Sequence, residues 1–337
     1  MAEPEVVLQA NHLTKTFHVG RAGFGRTRVS AVDDVSLELH RGESFGVVGE
    51  SGCGKTTLAR MLVGLEKPDS GSIEVAGRDV GSAHGPGRRA LSRDIQMVFQ
   101  DPYTSLNPRL TVYDLVAEPL VVHRVGGGAA ARRERVAELL TLVNLSPDMM
   151  SRFPHQFSGG QRQRIGIARA IALEPKVLVC DEPVSALDVS VQAQVINLLR
   201  SLQERLHIGL VFIAHDLGVV RHVADRTAVM YLGRLAETAS TADMFTLPSH
   251  PYTQALLSAS PSVDRQRRRR MGQRIVLAGD PPSPTDPPSG CRFHTRCPLS
   301  TEVCVQDQPP LADVDIDHAV ACHHVQEARK SVRQLTT

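Results

Sequence analysis

Residues 49–57 read GESGCGKTT, and their types and spacing suit the cradling of a polyphosphate. Gly49, Gly52 and Gly54 let backbone N–H groups approach phosphate oxygens with no side chain in between. Lys55 adds a compact positive charge for the β- and γ-phosphates, and the Thr56 hydroxyl is suited to ligate Mg2+. Glu50, Ser51, Cys53 and Thr57 complete the loop. A glycine-rich turn with no ligand is the plainer alternative. Against it stands the flanking sequence: apolar SFGVV (44–48) precedes the loop and helical TTLARMLVGL (56–65) follows it. That order points a helix N-terminus, with its positive dipole end, at the bound anion.

A second constellation lies in VLVCDE (177–182), an apolar run ending in two carboxylates. Asp181 is suited to hold Mg2+, and Glu182 to polarise an attacking water as general base. Taken alone, a strand ending in Asp-Glu is as readily a solvated strand end. Downstream of a phosphate loop in the same chain, the pair implies nucleoside-triphosphate hydrolysis.

Such groups need a rigid frame, and the first 245 residues supply its pattern. Apolar, β-branched runs alternate with helical periodicity, the signature of an α/β domain with a largely parallel sheet. The strand candidates are SFGVVGE (44–50), IQMVFQ (95–100), KVLVCDE (176–182), GLVFIAH (209–215) and RTAVMYL (226–232). Their near-continuous hydrophobicity predicts burial on both faces. Between the second and third, TVYDLVAEPLVVH and AARRERVAELLTLVNL predict a helical subdomain over about 101–165. After Leu247 the composition shifts to the basic run RQRRRR (265–270), a proline-dense stretch and a group of cysteines, which sets a boundary near 245. The basic run reads as a solvated linker, with contact to anionic lipid as the sharper alternative.

The chain has 337 residues, enough for two domains, and 42% of them are hydrophobic. Its 38 basic and 36 acidic side chains leave a net charge of +2, without the basic excess of a nucleic-acid binder. No apolar run reaches the roughly 18 to 20 residues that span a bilayer, and the start lacks a signal-peptide pattern, so a cytoplasmic location is expected.

The segment FSGGQRQRIGIARAI (157–171) narrows the family. Its S-G-G-Q core before an amphipathic helix resembles the signature sequence of ATP-binding cassette (ABC) proteins. That resemblance implies a P-loop ABC-type nucleotide-binding domain in which two cassettes pair head to tail. Ser158, Gly159, Gly160 and Gln161 of one chain then close over the ATP of its partner. It further implies Gln100 as the sensor-loop glutamine and an Mg2+ ligand, and His215 in FIAHD as the switch histidine. Ser185, Ala186, Leu187 and Asp188 match the loop between the paired sites. Phe17 matches the aromatic that stacks on adenine; by itself it reads as a buried strand phenylalanine.

The likeness extends to the branch. QDPYTSLNPRLTV (100–112), DEPVSALDVSVQAQVINLL (181–199) and HPYTQALL (250–257) resemble the ATP-binding subunits of bacterial dipeptide and oligopeptide importers. The implied partners are a second, identical or homologous ATPase subunit, two membrane permease subunits and an extracytoplasmic solute-binding protein, with no nucleic acid. The implied location is peripheral, on the cytoplasmic face of the inner membrane. A soluble ABC ATPase acting on nucleic acid or ribosomes is the alternative, disfavoured by the near-neutral charge.

Four of the six cysteines, Cys291, Cys297, Cys304 and Cys322, fall in the tail with spacing C-x5-C-x6-C-x17-C. Structural zinc prefers closer pairs. Four thiolates are the complement of a 4Fe-4S cluster, which tolerates varied spacing, and the importer branch resembled here implies one. Zinc with histidine substitution and free thiols stay open as alternatives. The expected cofactors are therefore ATP, Mg2+ and a 4Fe-4S cluster, the last in a small irregular C-terminal domain over 246–337. Cys53 and Cys180 read as small filler residues.

Overall fold

The computed structural model describes residues 5–20, 27–259, 275, 277 and 279–334. The basic run 265–270 lies outside the described residues. Among those described, two sheets form. The larger has eight strands, and its parallel part consists of the five apolar runs: β3 (Ser44–Val48), β6 (Ile95–Val98), β7 (Val177–Asp181), β8 (Gly209–Ala214) and β9 (Arg226–Tyr231). They lie in the order β9-β3-β8-β7-β6. This order puts the C-terminal ends of β3, β7 and β8 side by side, and the chemistry-bearing residues follow those ends.

Period-2 alternation divides these strands between two cores. Val47, Val177, Val179, Val211 and Ile213 face one, and Val48, Leu178, Cys180, Leu210 and Phe212 face the other. The first core is closed by a smaller antiparallel sheet, ordered β2-β1-β4-β5, of β1 (Val6–Val19), β2 (Thr27–His40), β4 (Ser70–Val75) and β5 (Arg78–Asp79). Helix α1 (Lys55–Leu62) is buried in that layer through Leu58, Ala59, Met61 and Leu62.

Helices cover the opposite face. After α2 (Gly85–Asp94) and the short α3 (Pro102–Ser105) come α4 (Val112–Val122), α5 (Ala129–Leu142) and α6 (Gly159–Ile171), which pack on one another. Thr111 starts α4 with a reciprocal capping box to Asp114, satisfying two backbone donors that would otherwise be orphaned. Val136, Leu139 and Leu140 of α5 recur at i, i+3, i+4 and are fully buried. Helix α7 (Val189–Leu206) completes the layer, followed by α8 (Leu217–Val220).

The rest of the large sheet is antiparallel. Strand β10 (Arg234–Ser240) turns back against β9, and β11 (Ala312–Asp315) and β12 (His318–Val320) add a hairpin to its outer edge. Helices α9 (Thr241–Thr246) and α10 (Pro251–Ala259) lie between, and α11 (Glu302–Gln306) and α12 (Val325–Gln334) belong to the tail. The tail contributes to the main core as well as to the sheet. Phe293 is 2% exposed and meets Tyr231 edge-on at 5.3 Å and Tyr252 at 5.4 Å.

His250 sits beneath this aromatic group, and burial pushes its pKa down to about 4. Its Nδ1 accepts from the Tyr252 backbone N–H at 3.0 Å, a bond that requires the neutral ring. A depressed histidine pKa means the unfolded chain takes up the proton first. The stabilisation is complete above the unfolded pKa of about 6.5 and is lost as pH falls toward 4, by about 3 kcal/mol in total. Urea unfolding of wild type and His250→Asn at pH 7.5 and pH 4.5 checks this. The asparagine keeps an acceptor without the titration, so its stability is expected to fall less steeply with acid.

Candidate functional site

The phosphate loop runs from the end of β3 to α1, and its path admits little but the residues present. Gly54 has φ +109°, and a Cβ there would run into the Ala31 carbonyl. At Gly49 the obstruction would be the Met230 carbonyl. Both glycines are needed because β2 and β9 approach the loop backbone closely. Lys55 begins α1 with its side chain 3% exposed, and its Nζ donates to the carbonyls of Gly49 (2.8 Å) and Glu50 (3.0 Å). The ammonium is thus held at the loop's centre.

Facing it is the end of β7. Thr56 Oγ1 donates to Asp181 Oδ1 at 3.2 Å, joining two oxygen donors of the kind a hard divalent cation takes. Burial pushes the Asp181 carboxyl above the usual carboxylate range, the Glu182 charge pushes it further, and the Thr56 hydroxyl opposes both. A bound cation would relieve both the burial and the like charge, so the donor set fits Mg2+.

Glu182 is the hub. Its Oε1 lies 3.8 Å from Lys55 Nζ, and its Oε2 accepts from Gln100 Nε2 at 3.2 Å and lies 3.6 Å from His215 Nδ1. Gln100 follows β6 and His215 follows β8, so three neighbouring strand ends and the phosphate loop converge on one carboxylate. The backbone at Glu182 is left-handed, φ +43°, a conformation uncommon for a side chain of this size. It is held by the Glu182 N–H donating to the Ile213 carbonyl at 3.0 Å. Strain of this kind, kept by the surrounding sheet, is found where a side chain must be aimed.

The other sequence candidates fall in two places. Ser158 caps α6: its hydroxyl accepts from the Gln161 N–H at 3.3 Å, and its own N–H donates to Gln161 Oε1 at 3.1 Å. The serine O–H hydrogen remains for an outside acceptor. Among the described residues, no hydrogen bond joins Ser158, Gly159, Gly160 or Gln161 to loop 49–57. Ser185, Ala186, Leu187 and Asp188 lead into α7, where Ser185 donates through its N–H (3.2 Å) and its hydroxyl (3.1 Å) to the Glu182 carbonyl. Val189 beside them is 82% exposed. Phe17 is half-buried on β1 opposite Val29, with Lys15 Nζ 5.4 Å from its ring centre.

Sequence reasoning missed the groups behind the loop. Tyr252 Oη accepts from the Glu50 N–H at 3.0 Å, and Arg296 Nη1 donates to both Glu50 carboxylate oxygens, at 3.2 and 3.0 Å. Tyr252 lies in HPYTQALL and Arg296 in CRFHTRCP, segments that stood out for other reasons. Neither segment signals a contact across roughly 200 residues of chain.

The iron–sulfur expectation is corrected. Among the described residues, which include all four tail cysteines, no group of three or more Cys, His, Asp or Glu side chains is placed to hold a metal ion. The thiols serve other ends. Cys304 is 5% exposed, Cys291 and Cys297 pack against the main core, and Cys322 Sγ accepts from the His324 N–H at 3.3 Å. Burial pushes the Cys297 pKa up to about 11 and that of Cys322 up to about 12, which favours the thiol over the thiolate that ligation requires. The 4Fe-4S cluster is therefore withdrawn from the expected cofactors.

Comparison with known proteins identifies the family. The family model described as ABC transporter matches residues 32–185, and the oligopeptide/dipeptide transporter C-terminal region matches residues 236–304. The di/tripeptide transport ATP-binding protein DppF of Pseudomonas aeruginosa is 50% identical over 324 residues, 96% of this chain and 99% of the relative. The oligopeptide transport ATP-binding protein AppF of Bacillus subtilis is 48% identical over 325 residues, 96% of this chain and 98% of the relative. Among solved structures, the dimeric bacterial ABC transporter cassette MJ0796 superposes with a TM-score of 0.62 at 29% identity, covering 69% of this chain and 98% of the cassette. A structure of the same cassette bound to ADP and Pi aligns with the same TM-score. The signature motif, the mixed α/β cassette fold and near-full-length likeness at half identity all agree, and the chain belongs to the ABC family, among the ATP-binding proteins of oligopeptide and dipeptide transporters.

Proposed function

We propose that this chain binds and hydrolyses ATP as the energising subunit of a peptide importer, working on separate permease subunits in the membrane. The observation that carries the hydrolytic part is the convergence of Lys55, Gln100 and His215 on Glu182, beside the paired Thr56 and Asp181. Peptide as the solute rests on the relatives, whose names specify di/tripeptide and oligopeptide transport.

Gly49 to Thr57 cradle the phosphates and Phe17 stacks on adenine. Thr56, Asp181 and Gln100 would hold Mg2+, which would supply positive charge to offset that of the triphosphate. Glu182 accepts a proton from the attacking water, and His215 orients the γ-phosphate side of the site. Ser158 to Gln161 offer a capped helix N-terminus and a spare hydroxyl to the ATP of a second cassette, and residues 185–188 lie along the junction. The dimeric form of the solved cassette relative supports such pairing. The division at about 245, with 101–165 as a helical subdomain and 246–337 as a small cysteine-containing accessory region, is supported by the separate family matches at 32–185 and 236–304.

A groove of about 630 Å³ between the helical layer and the end of β6 suits a permease helix, peripheral to the membrane. Its wall includes Leu65, Met97, Phe99, Pro119 and Val122, of which Leu65 is 58% and Val122 54% exposed. No helix among the described residues is long and apolar enough to cross a membrane itself. Leu65→Asp combined with Val122→Asp is expected to leave ATP binding by the isolated chain within about twofold, since both side chains are exposed, while abolishing retention of the permease. Mild-detergent purification from native membranes tests the whole reading. Two permease subunits, a second cassette and a solute-binding protein are expected to accompany the chain; recovery with ribosomes instead would overturn it.

A further inference from the structure

We propose that Arg296, from the cysteine-bearing tail, is a positioning residue for the phosphate loop: it holds the Glu50 carboxylate away from the incoming triphosphate and so sets the affinity for ATP. The inference rests on the assignment of loop 49–57 as the ATP site.

Glu50 puts a negative charge inside a loop built to receive a polyanion. Three contacts from other side chains determine where that residue goes. Its N–H donates to Tyr252 Oη, its carbonyl accepts from Lys55 Nζ, and its carboxylate accepts twice from Arg296 Nη1. The first two fix the backbone from α10 and from α1. Only the third governs where the charge lies.

Arg296 is itself firmly aimed. It ends a short 3-10 turn, His294–Arg296, whose preceding residue Phe293 is locked among Tyr231, Tyr252 and His250. Its side chain is 8% exposed, and Nη1 also lies 3.4 Å from Tyr231 Oη. Four residues upstream, Arg292 bonds the Leu232 carbonyl and Asp33, tying the same stretch of tail to β2 and to the turn after β9. The arginine fits poorly as a simple stabiliser. Its Nε is buried with no hydrogen-bond partner among the described residues, which lowers its net contribution to stability. The pair is only part-buried, with the Glu50 side chain 27% exposed, so its net contribution to stability is modest.

Without Arg296 the Glu50 carboxylate is free to turn toward the phosphates or toward Lys55 Nζ, and both motions oppose nucleotide binding. The penalty falls alike on the ground state and the transition state, because both carry the same phosphates in the same loop. The loss therefore appears in KM and Kd with little change in kcat.

The test measures MgATP binding to the full-length chain with a fluorescent ATP analogue, and kcat and KM in the assembled transporter. Arg296→Met is expected to weaken binding about 5- to 20-fold with kcat within about twofold. Arg296→Lys keeps a point charge and is expected to stay within about threefold of wild type. The discriminating variant is Glu50→Gln in the Arg296→Met background, which removes the stray charge and is expected to recover most of the lost affinity. A purely structural arginine predicts no such recovery, so a double variant as weak as Arg296→Met overturns the proposal. So does an Arg296→Met chain that binds as wild type does. A wild-type chain that fails to bind MgATP overturns both this proposal and the ATP site, whereas normal binding with insensitive variants overturns this one alone.

Discussion

Glu182→Gln is expected to lower ATP turnover by about 10²- to 10⁴-fold while leaving ATP affinity within about threefold of wild type. The substitution preserves shape and the capacity to accept from Gln100 Nε2, so the constellation at the end of β7 stays assembled. What it removes is the basic oxygen that, in the proposed mechanism, takes the proton from water. With one fewer negative charge beside Lys55 and Asp181, the site does not repel nucleotide more than before. ATP then accumulates unhydrolysed between paired cassettes. Single-turnover hydrolysis and equilibrium nucleotide binding on the same preparation check both halves, and near-normal turnover would remove Glu182 from the role of base.

Lys55→Ala is expected to act on the other side of the same contact. Removing the ammonium takes away the charge for the β- and γ-phosphates and leaves the Gly49 and Glu50 carbonyls without their donor. A charge-assisted contact of this kind is worth about 1.5 to 3 kcal/mol, or roughly 10- to 100-fold in affinity. Turnover falls with it, because the γ-phosphate carries more charge as the reaction proceeds. Titration with nucleotide separates the two variants: Lys55→Ala binds weakly and turns over slowly, Glu182→Gln binds well and turns over slowly.

The parts legible in the sequence were those whose chemistry or periodicity is local. The five parallel strands are continuous apolar runs because both faces are covered, and each formed where its run lies. The phosphate loop and the Asp181-Glu182 pair announced themselves by residue type and by what flanks them. The antiparallel sheet went unnamed for a physical reason. Strands β1 and β2 bury one face and leave the other half-exposed, and bulges between Ala10 and Leu13 and between Leu13 and Lys15 break their alternation. The hairpin of β11 and β12 is shorter still, and two of the three exposed positions of β11 are acidic, Asp313 and Asp315.

Contacts distant along the chain that no motif marks at both ends were not legible. Arg296 reaches Glu50 only because Phe293 packs against two tyrosines from separate elements, and no spacing rule carries that information. The cysteines show the opposite error. Their number and clustering suggested ligation, yet each thiol is engaged in packing or in a backbone contact, and composition cannot distinguish a ligand set from small, buried side chains.

If hydrolysis at Glu182 is coupled to peptide import, ATP turnover must depend on peptide. The chain would be assembled with its co-purifying permeases and second cassette in lipid vesicles, with solute-binding protein on the opposite side. Peptide-loaded binding protein is expected to raise ATP hydrolysis several-fold over the unloaded protein, and Glu182→Gln to abolish the increase. Turnover indifferent to peptide, or stimulated instead by nucleic acid or ribosomes, would contradict it.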